Sequence, residues 1–125
     1  MNVPDDLKYT TEHEWIRVEG EEIVVGVTDF AQSELGDVVF VEIETEGETL
    51  SKGETFGNIE AVKTVSDLYM PLDGEVVEAN SVLEDTPEIV NSQPFGDGWM
   101  VRIKVSDPAQ MEELLSAEEY RKLIG

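Results

Sequence analysis

The chain has no cysteine among its 125 residues. Disulfide staples and cysteine-ligated metal are therefore excluded, as is any thiol chemistry supplied by the polypeptide itself. Positive charge is scarce: 8 Lys and Arg stand against 29 Asp and Glu, a formal net charge of −21. Contact with nucleic acid or an anionic membrane would be repulsive. The apolar runs are only a few residues long, far short of the roughly 20 needed to cross a bilayer. The opening Met1-Asn2-Val3-Pro4-Asp5-Asp6 has neither a basic region nor an apolar stretch, which argues against a secretory signal or transit peptide. His13 is the only histidine, so a metal site would need ligands from elsewhere. Carboxylates alone favour Ca or Mg, and no loop has the matching spacing. There is no glycine-rich phosphate loop and no Gly-x-Ser-x-Gly elbow. In so acidic a chain, paired carboxylates are always available and carry no signal for glycosidase chemistry.

What is present fits one small globular unit. A chain of this length is one domain by size and buries about two thirds of its unfolded surface. Apolar residues make up 40% of it, enough to argue against disorder despite the charge. The acid is spread over the whole chain: Asp5, Asp6, residues 19–22 and 42–48, Glu112, Glu113, Glu118 and Glu119. A binding patch for cationic partners would be more local. The spread predicts a solvated coat suited to the cytoplasm of a high-salt prokaryote.

Short apolar stretches alternate with turn residues. Residues 14–27 predict a hairpin around Glu19-Gly20-Glu21. Thr28 or Asp29 is placed to cap a short helix through Leu35, with Gly36 as a left-handed stop. In residues 37–44, Val39, Val41 and Ile43 are expected to share a face. Two strands span about residues 56–70 around Lys63. Pro71-Leu72-Asp73-Gly74 reads as a turn and residues 75–79 as the next strand. Residues 80–94 read as irregular or as a short helix with loop. Trp99, Val101, Ile103 and Val105 alternate with Met100, Arg102 and Lys104, as in a half-buried strand. Helices are expected over about residues 107–124: Asp107-Pro108 is a cap with Pro at the first helical position, and Ser116 with Glu119 is a capping box. Leu114, Leu115, Tyr120, Leu123 and Ile124 supply apolar faces. Many short strands with glycine turns predict an all-β sandwich or barrel with peripheral helices.

Within this pattern Lys63 is singular. It lies between two short apolar runs, and no other cation stands within ten residues on either side. A lone lysine is most simply a solvated surface residue. A Schiff-base lysine would want a dry pocket. A lysine to be acylated needs exposure and a rigid local shape that a modifying enzyme can read, and the tip of a tight hairpin supplies both. For His13 the simplest role is a packing or turn residue beside Trp15.

The run Glu60-Ala61-Val62-Lys63-Thr64-Val65-Ser66-Asp67-Leu68-Tyr69-Met70-Pro71-Leu72-Asp73-Gly74-Glu75-Val76-Val77-Glu78-Ala79-Asn80 resembles the lipoyl attachment region of the glycine cleavage system H-protein family. Tyr9-Thr10-Thr11-Glu12-His13-Glu14-Trp15 resembles that family's opening. Residues 26–32 and 35–39 are similar to its first helix and following strand, and residues 90–99 to its late loop. Ser116-Ala117-Glu118-Glu119-Tyr120 is similar as well, so the likeness covers nearly the whole chain.

The resemblance implies a mostly-β, lipoyl/biotinyl-type barrel-sandwich hybrid with short peripheral helices and a helical C-terminus, as one carrier domain over residues 1–125. It implies a monomeric carrier rather than a catalyst, with lipoate in amide linkage to Lys63 and no metal. The partners it implies are a pyridoxal-phosphate glycine decarboxylase, a tetrahydrofolate-dependent aminomethyltransferase, a flavin-containing dihydrolipoyl dehydrogenase, and the lipoate ligase or lipoyl transferase that attaches the cofactor. It points to Glu14 and Asp67 as partners of the loaded arm in a surface cleft. Where the family commonly has a small hydroxylated residue this chain has Glu12, and Glu12 or Thr11 is the candidate to take that place. Glu60 and Gly74 are expected to present the hairpin to the ligase.

Other readings remain open. Biotinyl carriers usually place methionines on both sides of the lysine, where this chain has Val62 and Thr64. Lipoyl domains of 2-oxo acid dehydrogenases usually have an acidic residue before the lysine and a linker after the domain, and this chain has Val62 and no linker. A lipoyl relay that donates its cofactor to other proteins would look alike in sequence. A hydrolase using carboxylates or His13 would turn over substrate without lipoate.

The acidic coat makes the first prediction. The thermal midpoint should rise in molar KCl, because salt screens the self-repulsion of the native state; a flat response in a KCl titration would favour a local binding surface instead.

Overall fold

The structure is a computed structural model and describes residues 2–125. Nine strands form two sheets. The larger holds β1 (Lys8–Tyr9), β2 (Glu14–Glu19), β3 (Glu22–Val27), β5 (Thr49–Leu50), β8 (Gly74–Ala79) and β9 (Val101–Val105), in the order β1-β2-β3-β9-β8-β5. The smaller holds β4 (Val38–Glu42), β6 (Thr55–Ala61) and β7 (Val65–Tyr69), in the order β4-β6-β7. All pairings are antiparallel. The main core lies between the sheets, with Ile16, Ile23, Val25, Val76, Val101 and Ile103 from one and Val38, Val41, Phe56, Ile59 and Leu68 from the other.

The predicted 14–27 hairpin forms, with β2 and β3 in full register from Glu14↔Val27 to Glu19↔Glu22. Its composition is richer in apolar residues than one buried face requires, because both faces are covered. Ile16, Ile23, Val25 and Val27 face the main core, while Trp15 and Val24 enter a second cluster with Val3, Leu7, Tyr9, Ala117 and Tyr120. That second layer is the N-terminal segment and α4 (Ala117–Ile124), which begins with the expected Ser116–Glu119 capping box. Tyr9 and Tyr120 stack with centroids 4.7 Å apart, and the Tyr9 hydroxyl donates to Pro4 O at 2.7 Å. Burial pushes the Tyr9 hydroxyl up to about 12.

Four shorter segments surround the sandwich. Thr28 caps α1 (Asp29–Leu35) by accepting from Ala31 N–H, and Gly36 ends it at φ 80°. Two single-turn helices, α2 (Val82–Asp85) and α3 (Ile89–Ser92), occupy the stretch that reads as irregular or as a short helix with loop. The Asp107 cap starts a 3-10 helix (Pro108–Glu113) rather than an α-helix. No helix among the described residues is long and apolar enough to cross a membrane.

Three details depart from sequence expectation. Val39 does not share a face with Val41: it is 52% exposed and Val41 6%, because a bulge between Val38 and Phe40 shifts the register of β4 on β6. Trp99 does not continue the β9 face. It packs with the outer cluster while the adjacent Met100 is buried in the main core, and Asn80 Nδ2 holds the preceding loop through Asp97 O and Trp99 O, both at 2.8 Å. Leu123 is 50% exposed and adds little to the apolar face of α4.

The double burial of β2–β3 requires glycine at position 26. Trp15 and Gly26 are paired across the strands, and a Cβ on Gly26 would lie 2.6 Å from the indole ring. Trp15 has no room to retreat, since it is fully buried and its Nε1–H donates to Pro94 O at 2.8 Å. Gly26→Ala should therefore cost on the order of 1–3 kcal/mol by overpacking. A urea denaturation midpoint equal to that of the unsubstituted protein would refute this.

Candidate functional site

β6 and β7 form the expected hairpin, and Val62-Lys63 is its tip. The turn is closed by Ala61 N–H donating to Thr64 O at 2.8 Å. Val62 N–H donates to Asp37 O at 3.0 Å, so the tip is also tied to the residue preceding β4. Lys63 is exposed and has no ion-pair partner among the described residues.

Beside the tip lies a cleft of about 370 Å³ between β7, α1 and the turn before β2. Thr64, Val65, Ser66 and Asp67 line one side, Phe30, Ala31, Glu34 and Leu35 the other, and Glu12, His13 and Glu14 one end. Residues far apart in sequence, Glu12, Glu14 and Asp67, thus meet in one cavity next to Lys63. Thr11 does not reach it. It lines an adjoining groove of about 310 Å³ with Thr10, Lys52 and Tyr69, whose wall Glu12 and Glu14 share.

Glu14 is the unusual member. It is 2% exposed, with Oε2 accepting from Tyr69 N–H at 3.1 Å and Oε1 from the Thr10 hydroxyl at 3.3 Å. Burial pushes its carboxyl up to about 8; the two hydrogen bonds only partly offset this, and the Glu12 charge adds to it. At neutral pH burial therefore favours the protonated, neutral form of Glu14. Asp67, by contrast, is exposed on β7 and paired in register with Asn58.

His13 is a wall of the cleft rather than a companion of Trp15. Its backbone is left-handed at φ 65°, and its ring lies 4.9 Å from Phe30. His13 Nδ1 is 2.9 Å from the Tyr120 hydroxyl, which is 2.7 Å from Thr28 Oγ1. Thr28 is fully buried and its Oγ1 accepts from Ala31 N–H, so the Thr28, Tyr120 and His13 side chains form one hydrogen-bonded chain that starts at the cap of α1. Burial lowers the His13 pKa, with Glu12 and Glu34 opposing. The sequence did not reveal this chain of hydroxyls, because its three residues are far apart in the chain.

Glu60 is exposed on β6, opposite Phe40 on one side and Val65 on the other. Gly74 is not on the lysine hairpin. It begins β8 in the larger sheet, opposite Leu50 and Val105, where a Cβ would meet Ile103 Cγ2 at 2.5 Å and Lys104 O at 2.6 Å. No group of His, Asp and Glu among the described residues is arranged to hold a metal.

Fold and site together define a class: a small two-sheet sandwich that presents one lysine on a rigid hairpin beside an acid-lined cleft. Comparison with known proteins agrees. The family model for the glycine cleavage H-protein matches residues 7–125. The chain is 57% identical over 125 residues to the glycine cleavage system H protein of Bacteroides thetaiotaomicron, covering 100% of this chain and 99% of that one. It is 52% identical over 125 residues to that of Staphylococcus saprophyticus, with the same coverage. The crystal structure of a glycine cleavage system H protein from Mycobacterium marinum superposes with a TM-score of 0.89 at 40% identity, covering 98% of this chain and 99% of that chain. The chain belongs to the glycine cleavage H-protein family, whose fold is the lipoyl-type barrel-sandwich and whose members are carriers rather than catalysts.

The raised pKa of Glu14 has a definite sign in stability. The unfolded chain loses this proton near the ordinary value of 4.5, whereas the native state keeps it until about 8. Stability contributed by the retained proton is complete at low pH and declines as pH rises between those values. Glu14→Gln keeps a neutral side chain at every pH. Its thermal midpoint relative to the unsubstituted protein should therefore climb between pH 5 and pH 8, and a constant difference across that window would contradict the assignment.

Proposed function

We propose that the chain acts as one carrier domain over residues 1–125, bearing lipoate in amide linkage to Lys63 and conveying the aminomethyl group of glycine between enzymes of the glycine cleavage system. One observation carries this: an exposed, unpaired lysine stands on a hydrogen-bonded hairpin tip at the mouth of a cleft holding a buried carboxyl, in a chain of the H-protein family. The partners are the pyridoxal-phosphate glycine decarboxylase, the tetrahydrofolate-dependent aminomethyltransferase and the flavin-containing dihydrolipoyl dehydrogenase, with a lipoate ligase or lipoyl transferase attaching the arm.

Bound to Lys63, lipoate supplies a disulfide that accepts electrons and a thiol that takes up the one-carbon unit. The chain supplies presentation and shelter. Among the described residues Lys63 has no carboxylate partner to displace before acylation. Glu60, exposed on the same hairpin, offers the ligase a charge beside the turn. Gly74 acts at a distance, by letting β8 close on β9 and so fixing the sheet behind the hairpin. A tether lets one arm visit successive active sites, so local concentration replaces affinity. With no thiol elsewhere in the chain, exchange with the arm is confined to the partners.

The cleft suits a cationic amine. Val27, Phe30, Leu35 and Ile59 provide apolar walls that exclude water. Exposed Asp67 and Glu12 attract the cation at the rim. Glu14 is neutral in the empty cleft and yields its proton as the ammonium arrives, giving a charge-assisted hydrogen bond in a dry setting. Sheltering the loaded arm is thus coupled to proton release from a carboxyl whose pKa lies near the working pH.

Lys63→Arg keeps the charge and the fold but offers no acylable amine. It should lose all lipoylation by intact mass and all glycine–bicarbonate exchange with purified decarboxylase; full exchange without added free lipoate would discard Lys63 as the site. Glu14→Ala and Asp67→Ala should remain lipoylated yet release ammonia from the loaded arm faster, and unchanged leakage would remove the cleft from the mechanism.

A further inference from the structure

We propose that Gly36 and Asn91 are positioning residues for the arm: Gly36 is the shelf on which the methylene stem of Lys63 lies, and Asn91 is the clamp that holds the shelf. This inference rests on the carrier reading of Lys63 and concerns how its side chain is aimed.

The stem passes directly over Gly36. A Cβ at that position would be 3.2 Å from Lys63 Cε and 3.8 Å from both Cδ and Nζ. The first of these is tighter than ordinary contact, so a side chain there would push the flexible stem aside by a few tenths of an ångström. Gly36 also ends α1, whose Phe30, Ala31, Glu34 and Leu35 wall the cleft. A stem resting on it therefore starts at the end of that wall, and the amine leaves alongside it. No carboxylate among the described residues pairs with Lys63, so shape rather than charge sets the direction.

The shelf is gripped from both sides by one amide. Asn91 Nδ2 donates to Gly36 O at 2.8 Å and to Gln32 Oε1 at 3.0 Å, while Asn91 Oδ1 accepts from Val38 N–H at 2.9 Å. Between these two points lies Asp37, whose carbonyl accepts the Val62 N–H of the hairpin tip. The residue before the lysine and the surface under its side chain are thus fastened to one three-residue corner. A two-residue tip held only by its own strands could rock; fastened here, its backbone cannot swing away from the corner without breaking the Val62–Asp37 bond. Acylation removes the charge of Nζ but leaves the stem, so the aim survives modification.

Two measurements on the full chain test this. In the unmodified protein, an NOE is expected between Gly36 Hα and Lys63 Hε, lost in Asn91→Ala; its absence from the unsubstituted protein would overturn the shelf. In protein whose complete lipoylation is verified by mass, Gly36→Ala and Asn91→Ala should shorten the ammonia-release lifetime of the loaded arm a few-fold, since a shift well under 1 Å costs less than the roughly hundredfold of a full 1 Å misplacement. Gly53→Ala is the control for backbone strain, since Gly53 has φ 87° with nothing within 4 Å of a Cβ. A change in Gly36→Ala no larger than in Gly53→Ala would also overturn the shelf. If Gly36→Ala does not fold, Asn91→Asp decides: it keeps the acceptor for Val38 N–H and loses the donor to Gly36 O, so an unchanged lifetime counts against the clamp. A bare Lys63 in protein from glycine-degrading host cells would instead defeat the carrier reading, leaving the NOE to judge the shelf alone.

Discussion

Everything in this molecule is referred to the β2–β3 pair, which is buried on both faces. Trp15 fills the space over Gly26 on the outer face, while Ile16, Ile23 and Val25 fill the inner core. A strand pair that cannot shift toward either layer is a fixed reference for what begins and ends on it. Glu14 opens β2, and Thr28 follows β3 directly and caps α1. The floor of the cleft and its helical wall therefore spring from the same rigid hairpin. A chain of hydroxyls from Thr28 through Tyr120 to His13 then ties that wall to the C-terminal helix.

Charge is handled in two opposite ways. Most of the 29 acidic residues stand in water, where screening keeps each interaction small. Glu14 alone among them is withdrawn from solvent, and the cost of desolvation, not a neighbouring charge, sets its behaviour. A carboxyl of this kind is poor at holding a negative charge in an empty site and strong at pairing with a cation that brings its own charge into the same dry space. The surface acid favours dispersion in water; the buried acid is the one whose charge state depends on what enters the cleft.

Val62, next to Lys63, is tied through Asp37 to a corner made of α1, β4 and α3 and joined by the Asn91 amide. Under the proposed function, these rigid elements would set the origin of the arm's motion, and the flexible part would be left to the cofactor.

Much of this was legible in the residues. The lysine hairpin, the Thr28 and Ser116 caps, the Gly36 stop and the 14–27 hairpin follow from local chemistry, in which one residue's φ or hydroxyl decides the outcome. The two-residue strands β1 and β5 were not legible, because their pairing is made by distant backbone and not by their own composition. Val39 was misplaced because a bulge is invisible in an alternating pattern, and Trp99 because it lies before the strand it was counted in. The resemblance named Glu14 and Asp67, but no local signal placed Phe30, Leu35 or His13 around the same cavity. Sequence alone thus determined most of the elements, the hairpin on which Lys63 stands and how acidic the surface would be, since these depend on neighbours along the chain. The raised pKa of Glu14, the hydrogen bond between His13 and Tyr120 and the path of the Lys63 stem were decided only by the tertiary structure, since desolvation, hydrogen-bond closure and steric room arise only when distant segments share one space.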